Sequence, residues 1–284
     1  MTQKEPLLQN ISDTALWVAV YRARETDRPD ALFRDPLARR LAGPQGEQIA
    51  EKMGFSGSNS WPFIARTVAF DEFISAEIRS GVDTVINLAA GLDARPYRMN
   101  LPSSLRWIEV DLPAILDYKE EILAEEKPVC GLARFRLNLA DAGARHELFE
   151  QIGRKAGKAL IITEGLLVYL DPADVDALAT DLANVPAFQS WVIDLASPGL
   201  LRRLKQTLGP HLSQGGAEMR FAPPEGPDYF ARHGWKTVKV HSMLHTAGRL
   251  KRLPFWMRLL AKFPESNGPQ GSRPWGGVCL YGKP

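Results

Sequence analysis

Residues 83–98 read DTVINLAAGLDARPYR, and this stretch decides the fold class. Its first part, 83–90, is a short apolar run that stops at Gly91, the pattern of a buried strand. Working outward, the same pattern recurs. RWIEV (106–110) ends at Asp111, ALIIT (159–163) is followed by Glu164, and SWVIDL (190–195) closes the series. A weaker strand is predicted over 133–139. Residues 113–126 and 172–185 have helical spacing, the second with Asp171 at its cap. Strands separated by helices of this length predict an α/β fold, a parallel sheet with helices on both faces.

The flanks read differently. Upstream, Ser12 or Asp13 caps a helix that carries Leu16, Val20 and Ala23, and Asp35-Pro36 marks another helix start. Residues 54–62, rich in Gly, Ser and Asn, read as a loop. A helix with Ile64, Val68, Phe73 and Ile78 then runs to about Gly81. Downstream, 200–208 is a basic amphipathic turn or helix and 226–234 another helix. Residues 235–241 and 278–282 read as late strands around a long insertion, 244–277. With no repeat and no clear linker, the 284 residues read as one domain. Its parts are a helical extension (1–80), a core (81–196), and insertions with the final strands (197–284).

Composition narrows the function. Apolar residues make up 45% and charged residues 24%, ordinary for a globular chain. A net charge of +2 argues against a dedicated nucleic-acid binder. No apolar stretch approaches the ~20 residues of a membrane span, and residues 1–10 are too polar for a secretory signal. Cys130 and Cys279 lie far apart and form no metal-ligand pair, which fits a reducing cytoplasm.

Open parallel sheets bind ligands at the carboxyl ends of their strands, so the loop NLAAGLDAR (87–95) is the first place to look. It has one glycine. The G-x-G-x-x-G that brings backbone to a pyrophosphate is missing, as is a P-loop. The small residues Ala89 and Gly91 still admit a ligand without phosphates, such as S-adenosylmethionine (SAM). Asp111 follows Gly91 by twenty residues at the end of the second strand, placed to accept hydrogen bonds from ribose hydroxyls. Glu109 shares its strand parity and competes for the role. The same spacing also fits a plain tight turn and a solvated strand end.

The wider sequence resembles the leucine carboxyl methyltransferase family, in its bacterial branch of SAM-dependent O-methyltransferases. The resemblance rests on TALWVA (14–19), LFRDPLA (32–38), Arg66-Thr67, Phe70-Asp71, NLAAGLDARPYR (87–98), EVDLP (109–113) and TEGLLVYL (163–170). It covers residues 12–196 and fades after Ser197. It implies a Rossmann-like class I methyltransferase fold with a mostly parallel seven-stranded sheet, late insertions forming a cap, and SAM as cofactor. It also implies roles. Arg66 pairs with the methionine carboxylate of SAM, a bidentate match for a guanidinium. Gly91 and Ala89 allow close approach, and Asp111, with Leu112 beside it, holds the ribose. Asn138 and Leu139 stand where relatives often have Asp-Leu near the adenine. Glu164 faces the methionine amino group, since a buried carboxylate needs a cationic partner. Tyr169 borders the acceptor pocket. The family's early basic contact falls on Thr14-Ala15-Leu16 here, leaving Arg22 or Arg24 to replace it. Arg95 and Arg98 read as structural ion-pair formers.

A carboxylate acceptor is ionised at pH 7 and needs no base, whereas a phenol near pKa 10 wants one. His241 and His245 are the candidates for that base. The resemblance points to a small polyketide-like acceptor, and the composition of residues 245–263 to an aromatic and anionic one. Residues 245–263 hold Arg249, Lys251, Arg252, Arg258 and Lys262 without an acid, interleaved with Phe255, Trp256 and Phe263. This segment is expected either to cap the pocket over such an acceptor or to pack as an amphipathic helix. A membrane-surface helix is a third reading. A non-catalytic SAM-binding module and, less favoured, a nicotinamide-dependent oxidoreductase complete the alternatives.

Overall fold

The computed structural model describes residues 13–53, 60–214, 216–264 and 271–284. Strand β1 (Thr84–Leu88) is buried along its whole length and is an interior strand of a seven-stranded sheet. β2 (Arg106–Asp111) and β3 (Gly131–Arg136) extend the sheet on one side. β4 (Ala159–Thr163) and β5 (Phe188–Ala196) extend it on the other, all five strands parallel. β6 (Lys236–Ser242) and β7 (Gly276–Gly282) complete the order β3-β2-β1-β4-β5-β7-β6, with β7 antiparallel to both neighbours. The chain leaves β1 toward β3 and returns to β4, so the order reverses between β1 and β4. That reversal opens a crevice at the carboxyl ends of these strands.

Strand alternation sorts the core onto two faces. Ile86, Leu88, Ile161, Trp191, Ile193 and Tyr281 face α6 (Ala142–Gly153) and α7 (Pro172–Ala183). Val85, Trp107, Leu160, Ile162, Val192 and Leu280 face α3 (Trp61–Arg79) through Phe70, Phe73 and Ile74. A third cluster joins α1 (Asp13–Thr26) and α2 (Ala38–Lys52) to α5 (Pro113–Ile122) and α8 (Pro198–Gln214). It is built on Leu16, Trp17, Leu41, Ile115, Leu201 and Leu208. Each such side chain contributes about 1.5–3 kcal/mol when fully buried. α3 therefore covers one sheet face as part of the core, although it belongs by sequence to the helical extension.

Several boundaries differ from the sequence reading for physical reasons. α2 begins at Ala38, because the Asp35 carboxylate is buried against Arg22 at 2.9 Å and does not serve as a cap. Gly43 and Pro44 kink this helix, with Gly43 at φ 57°. α5 stops at Ile122, four residues early. β3 ends at Arg136, which leaves Asn138 and Leu139 in the loop beyond it. Residues Gly226–His233 wind as a 3-10 helix that ends at Gly234, a left-handed residue. Of the loop expected over 54–62, residues 54–59 lie outside the described residues, as does Ser12, and α3 has already begun at Trp61. The insertion before β7 holds α9 (Met243–Arg249) and two 3-10 turns, Phe255–Met257 and Leu260–Lys262.

Candidate functional site

The crevice is a cavity of about 340 Å³. Its floor is the loop after β1 and the ends of β2 and β4, and one wall is Leu137 to Ala140. Thr14, Ala15, Trp17, Val18 and Arg22 of α1 and Phe63 and Arg66 of α3 close it from above. Arg66, Ala89, Gly91, Asp111, Leu112, Asn138, Leu139, Glu164 and Tyr169 all line it. Sequence positions spread over about a hundred residues thus meet because four strand ends and two helices share one edge.

The β1 loop makes a sharp turn. Ala89 and Gly91 take left-handed backbone, φ 54° and 46°. A side chain on Gly91 would place its Cβ 3.3 Å from Ala15 Cβ, so the glycine keeps α1 close over the loop. Asp111 ties this loop to β2. Its Oδ2 accepts the Gly91 N–H at 2.6 Å, and its Oδ1 accepts the Leu112 N–H at 2.7 Å. A carboxylate oxygen has room for two hydrogen bonds, so one acceptor position per oxygen remains for a ligand. Burial pushes the Asp111 carboxyl up, and the two backbone N–H groups oppose that push. Glu109 plays a different part. It is fully buried and holds Lys119 at 2.7 Å and Arg134 at 2.8 Å, away from the cavity.

A network of charges forms the opposite end. Arg66 Nε lies 3.1 Å from Glu164 Oε1, and its Nη1 donates to Asp194 Oδ2 at 3.2 Å. Arg95 Nη1 reaches Glu164 Oε2 at 2.9 Å and Asp93 Oδ2 at 2.8 Å, while its Nε donates to Asp71 at 2.6 Å. Arg98 completes a fork on Asp71 at 2.7 and 2.8 Å. Arg95 and Arg98 are thus ion-pair formers, and Arg95 also reaches the cavity wall. Burial pushes the Asp71 and Asp93 carboxyls up, but the guanidiniums outweigh it and hold both below the usual carboxylate range. The cation that Glu164 needs is supplied within the chain, by Arg66 and Arg95. Arg66 Nε is buried without a hydrogen bond in good geometry.

Asp194 is the residue that sequence reading missed. Its Oδ1 accepts the Gly165 N–H at 2.6 Å, so it fixes both Arg66 and the turn after Glu164. Gly165 itself is left-handed, φ 69°, with Arg66 Nη1 3.4 Å from where a Cβ would stand. The available signal was a carboxylate at the carboxyl end of the apolar run SWVIDL. Arg22 also lines the cavity and donates to the Leu92 carbonyl at 2.6 Å, while Arg24 turns away to Glu47.

Other expectations fall elsewhere. His241 stacks on Phe73 at 4.4 Å between centroids, with Nδ1 3.4 Å from Glu72. His245 Nε2 lies 2.8 Å from the Phe263 carbonyl oxygen. Neither lines the cavity, because β6 is the far edge strand and its end runs to the back of α3. The segment 245–263 follows it there and contributes nothing to the cavity lining. The late element beside the cavity is α8 with the chain after it. Arg220 and Phe221 donate backbone N–H groups to the Val168 carbonyl at 2.6 and 3.2 Å, and Met219 packs with Leu16 and Trp17. The Asn138 side chain accepts the Ala140 N–H at 3.0 Å and shapes its own loop. Burial pushes the Tyr169 phenol up, so it stays protonated as a donor.

A sequence model described as leucine carboxyl methyltransferase matches residues 15–183. A protein from Parafrankia sp. (strain EAN1pec), named as a candidate S-adenosyl-L-methionine-dependent methyltransferase, is 30% identical over 256 residues, covering 82% of this chain and 79% of its own. One of the same name from Streptomyces coelicolor is 31% identical over 251 residues, covering 82% and 86%. Among solved structures, a candidate methyltransferase from Thermobifida fusca superposes with a TM-score of 0.59 at 15% identity, covering 98% of this chain and 96% of its own. A Streptomyces avermitilis protein gives 0.60 at 11% identity, with coverage of 95% and 97%. The two superpositions concern the fold alone. With more than half of its length matched by the family model and relatives aligned over most of theirs, the chain belongs to the leucine carboxyl methyltransferase family.

Proposed function

We propose that this protein transfers a methyl group from SAM to the carboxylate of a small, apolar, aromatic acid of polyketide-like character, forming a methyl ester. Family membership makes it a SAM-dependent methyltransferase. The observation that carries the finer reading is the set of titratable groups around the cavity. Among the described lining residues there is no histidine, lysine or cysteine. Asp93 and Glu164 are held by arginines, and Tyr169 is kept protonated by burial. Asp111, the remaining lining carboxylate, is held by two backbone N–H groups and is assigned to the ribose, which leaves no lining side chain to serve as the base. An acceptor that arrives already ionised needs none, and a carboxylate does so.

The residues present fit SAM. Asp111 offers one free acceptor position per oxygen for the two ribose hydroxyls. Gly91 leaves the space a side chain would fill. The Arg66 guanidinium and the Glu164 carboxylate both line the cavity and suit the amino-acid carboxylate and the ammonium in turn. When bound, SAM supplies an electrophilic methyl group on an activated leaving group. The chain's part is positioning, which alone supplies much of the rate in such a displacement. Trp17 and Phe63 meet edge-on at 5.5 Å between centroids, and the Arg66 guanidinium lies 5.7 Å over the Phe63 ring. The two rings, inclined at 70°, form an apolar corner in the cavity lining, suited to an aromatic acceptor.

Incubation with labelled SAM and a panel of aromatic acids and phenols tests this reading. Label is expected in a product from which dilute base releases methanol. A base-stable product made only from phenols would overturn the ester and leave the methyltransferase intact. The role of Asp194 gives a further expectation. Asp194→Asn keeps an acceptor for Gly165 but loses the charge facing Arg66. SAM affinity is expected to fall about tenfold, or ~1.4 kcal/mol, by calorimetric titration. An unchanged affinity would show that Arg66 is positioned without it.

A further inference from the structure

We propose that residues 251–263 form a docking surface for a membrane carrying anionic lipid headgroups, with Phe255, Trp256, Leu259 and Phe263 meeting the bilayer between Lys251, Arg258 and Lys262. The proposal is independent of the reaction proposed above.

The segment is held by one of its faces. Leu253, Met257 and Ala261, four residues apart, turn inward onto Ala247 of α9 and Ala65 of α3. A Cβ on Gly248 would stand 2.7 Å from Ala261 Cβ, so α9 and the segment are tightly seated. Arg252 anchors the start through Glu25 at 2.7 Å and Asp30 at 2.9 Å, and His245 meets the Phe263 carbonyl at the end. What remains faces outward, and it is apolar. Phe255 is 85% exposed, Trp256 66%, Leu259 62% and Phe263 60%. Soluble surfaces scatter such side chains singly. Here they fall within nine residues.

Charge chooses the occupant. Residues 249–263 carry five basic side chains and no acid. Arg249 and Arg252 are matched by Glu72, Glu25 and Asp30. Lys251, Arg258 and Lys262 are exposed beside the aromatic residues. A two-fold contact between copies of this chain would bring these cations against their own equivalents, which disfavours it. A bilayer interface with anionic headgroups satisfies both features. Aromatic rings settle at headgroup level, and each nearby lysine or arginine adds attraction that salt screens. No helix among the described residues is long and apolar enough to cross a membrane, so the contact is peripheral.

Co-sedimentation of the full chain with vesicles of phosphatidylcholine, with and without about one third phosphatidylglycerol, tests the proposal. Binding is expected only with phosphatidylglycerol and is expected to weaken as salt is raised. Two variants, K251E/R258E/K262E and F255S/W256S, are each expected to lose more than tenfold in apparent affinity while keeping the wild-type melting temperature. Failure of the wild type to bind the anionic vesicles, or binding by both variants as tight as the wild type's, would overturn it. So would self-association without vesicle binding that both variants abolish, which would assign the face to a second copy.

Discussion

Asp111→Ala is expected to lower SAM affinity by several hundredfold, the largest effect of any single change at the site. A hydrogen bond to a charged acceptor contributes about 1.5–3 kcal/mol, and two ribose hydroxyls would share this carboxylate. The same change removes the acceptor for the Gly91 N–H, loosening the loop on which the ligand rests. Asp111→Asn is no rescue. Both oxygens already accept backbone N–H groups, so an amide nitrogen would face a donor with a donor. Calorimetric titration with SAM and with its demethylated product reads the effect, with Arg66→Ala in parallel and melting curves to confirm folding. A change below threefold in a folded variant would remove Asp111 from the ribose contact. A pH dependence follows as well. Burial raises this carboxyl, and the ionised form is the acceptor. As pH falls, SAM affinity is expected to decline at a higher pH than an ordinary aspartate near 4 would give.

The second large effect is on stability. Asp71→Asn leaves the buried guanidiniums of Arg95 and Arg98 without their shared carboxylate. Breaking one side of a buried pair costs about 3–5 kcal/mol. For a domain of this size that lowers the melting temperature by roughly 10 °C. The acid limb carries the sign. Asp71 and Asp93 are held below the usual carboxylate range in the folded state. Their stabilisation is complete above the unfolded value near 4 and is lost as pH falls through it toward the folded values. The wild-type melting temperature is therefore expected to drop steeply below about pH 4, and the Asp71→Asn curve to be shallower there. Scanning calorimetry from pH 2.5 to 7 measures both. Parallel curves would show that Asp71 titrates alike in the folded and unfolded chain.

Much of this protein was legible before any coordinates. Strand runs such as ALIIT and SWVIDL carry their own signal, because burial on both faces demands continuous apolar residues. The spacing from Gly91 to Asp111 placed a strand turn and a carboxylate at one sheet edge, and the structure ties them by a 2.6 Å hydrogen bond. The nine residues singled out around that edge, Tyr169 among them, line one cavity.

Other features had no local signature. Glu109 and Asp111 are equivalent by strand parity. Only Lys119 and Arg134, from α5 and β3, give one to the core and leave the other at the cavity. Asp194 meets Arg66 across 128 positions, a pairing that exists only once β5 and α3 are packed. His241, His245 and the aromatic segment after them looked fit for the acceptor site by composition. The order of strands carries them to the far edge, behind α3. By itself the sequence determined which segments are strands, which residue types end them, and therefore where a ligand can sit, since these follow from periodicity and backbone chemistry within a few residues. Only the tertiary structure decided which charge neutralises which and that the late aromatic segment lies away from the cavity, because those outcomes depend on contacts between residues that chain order keeps far apart.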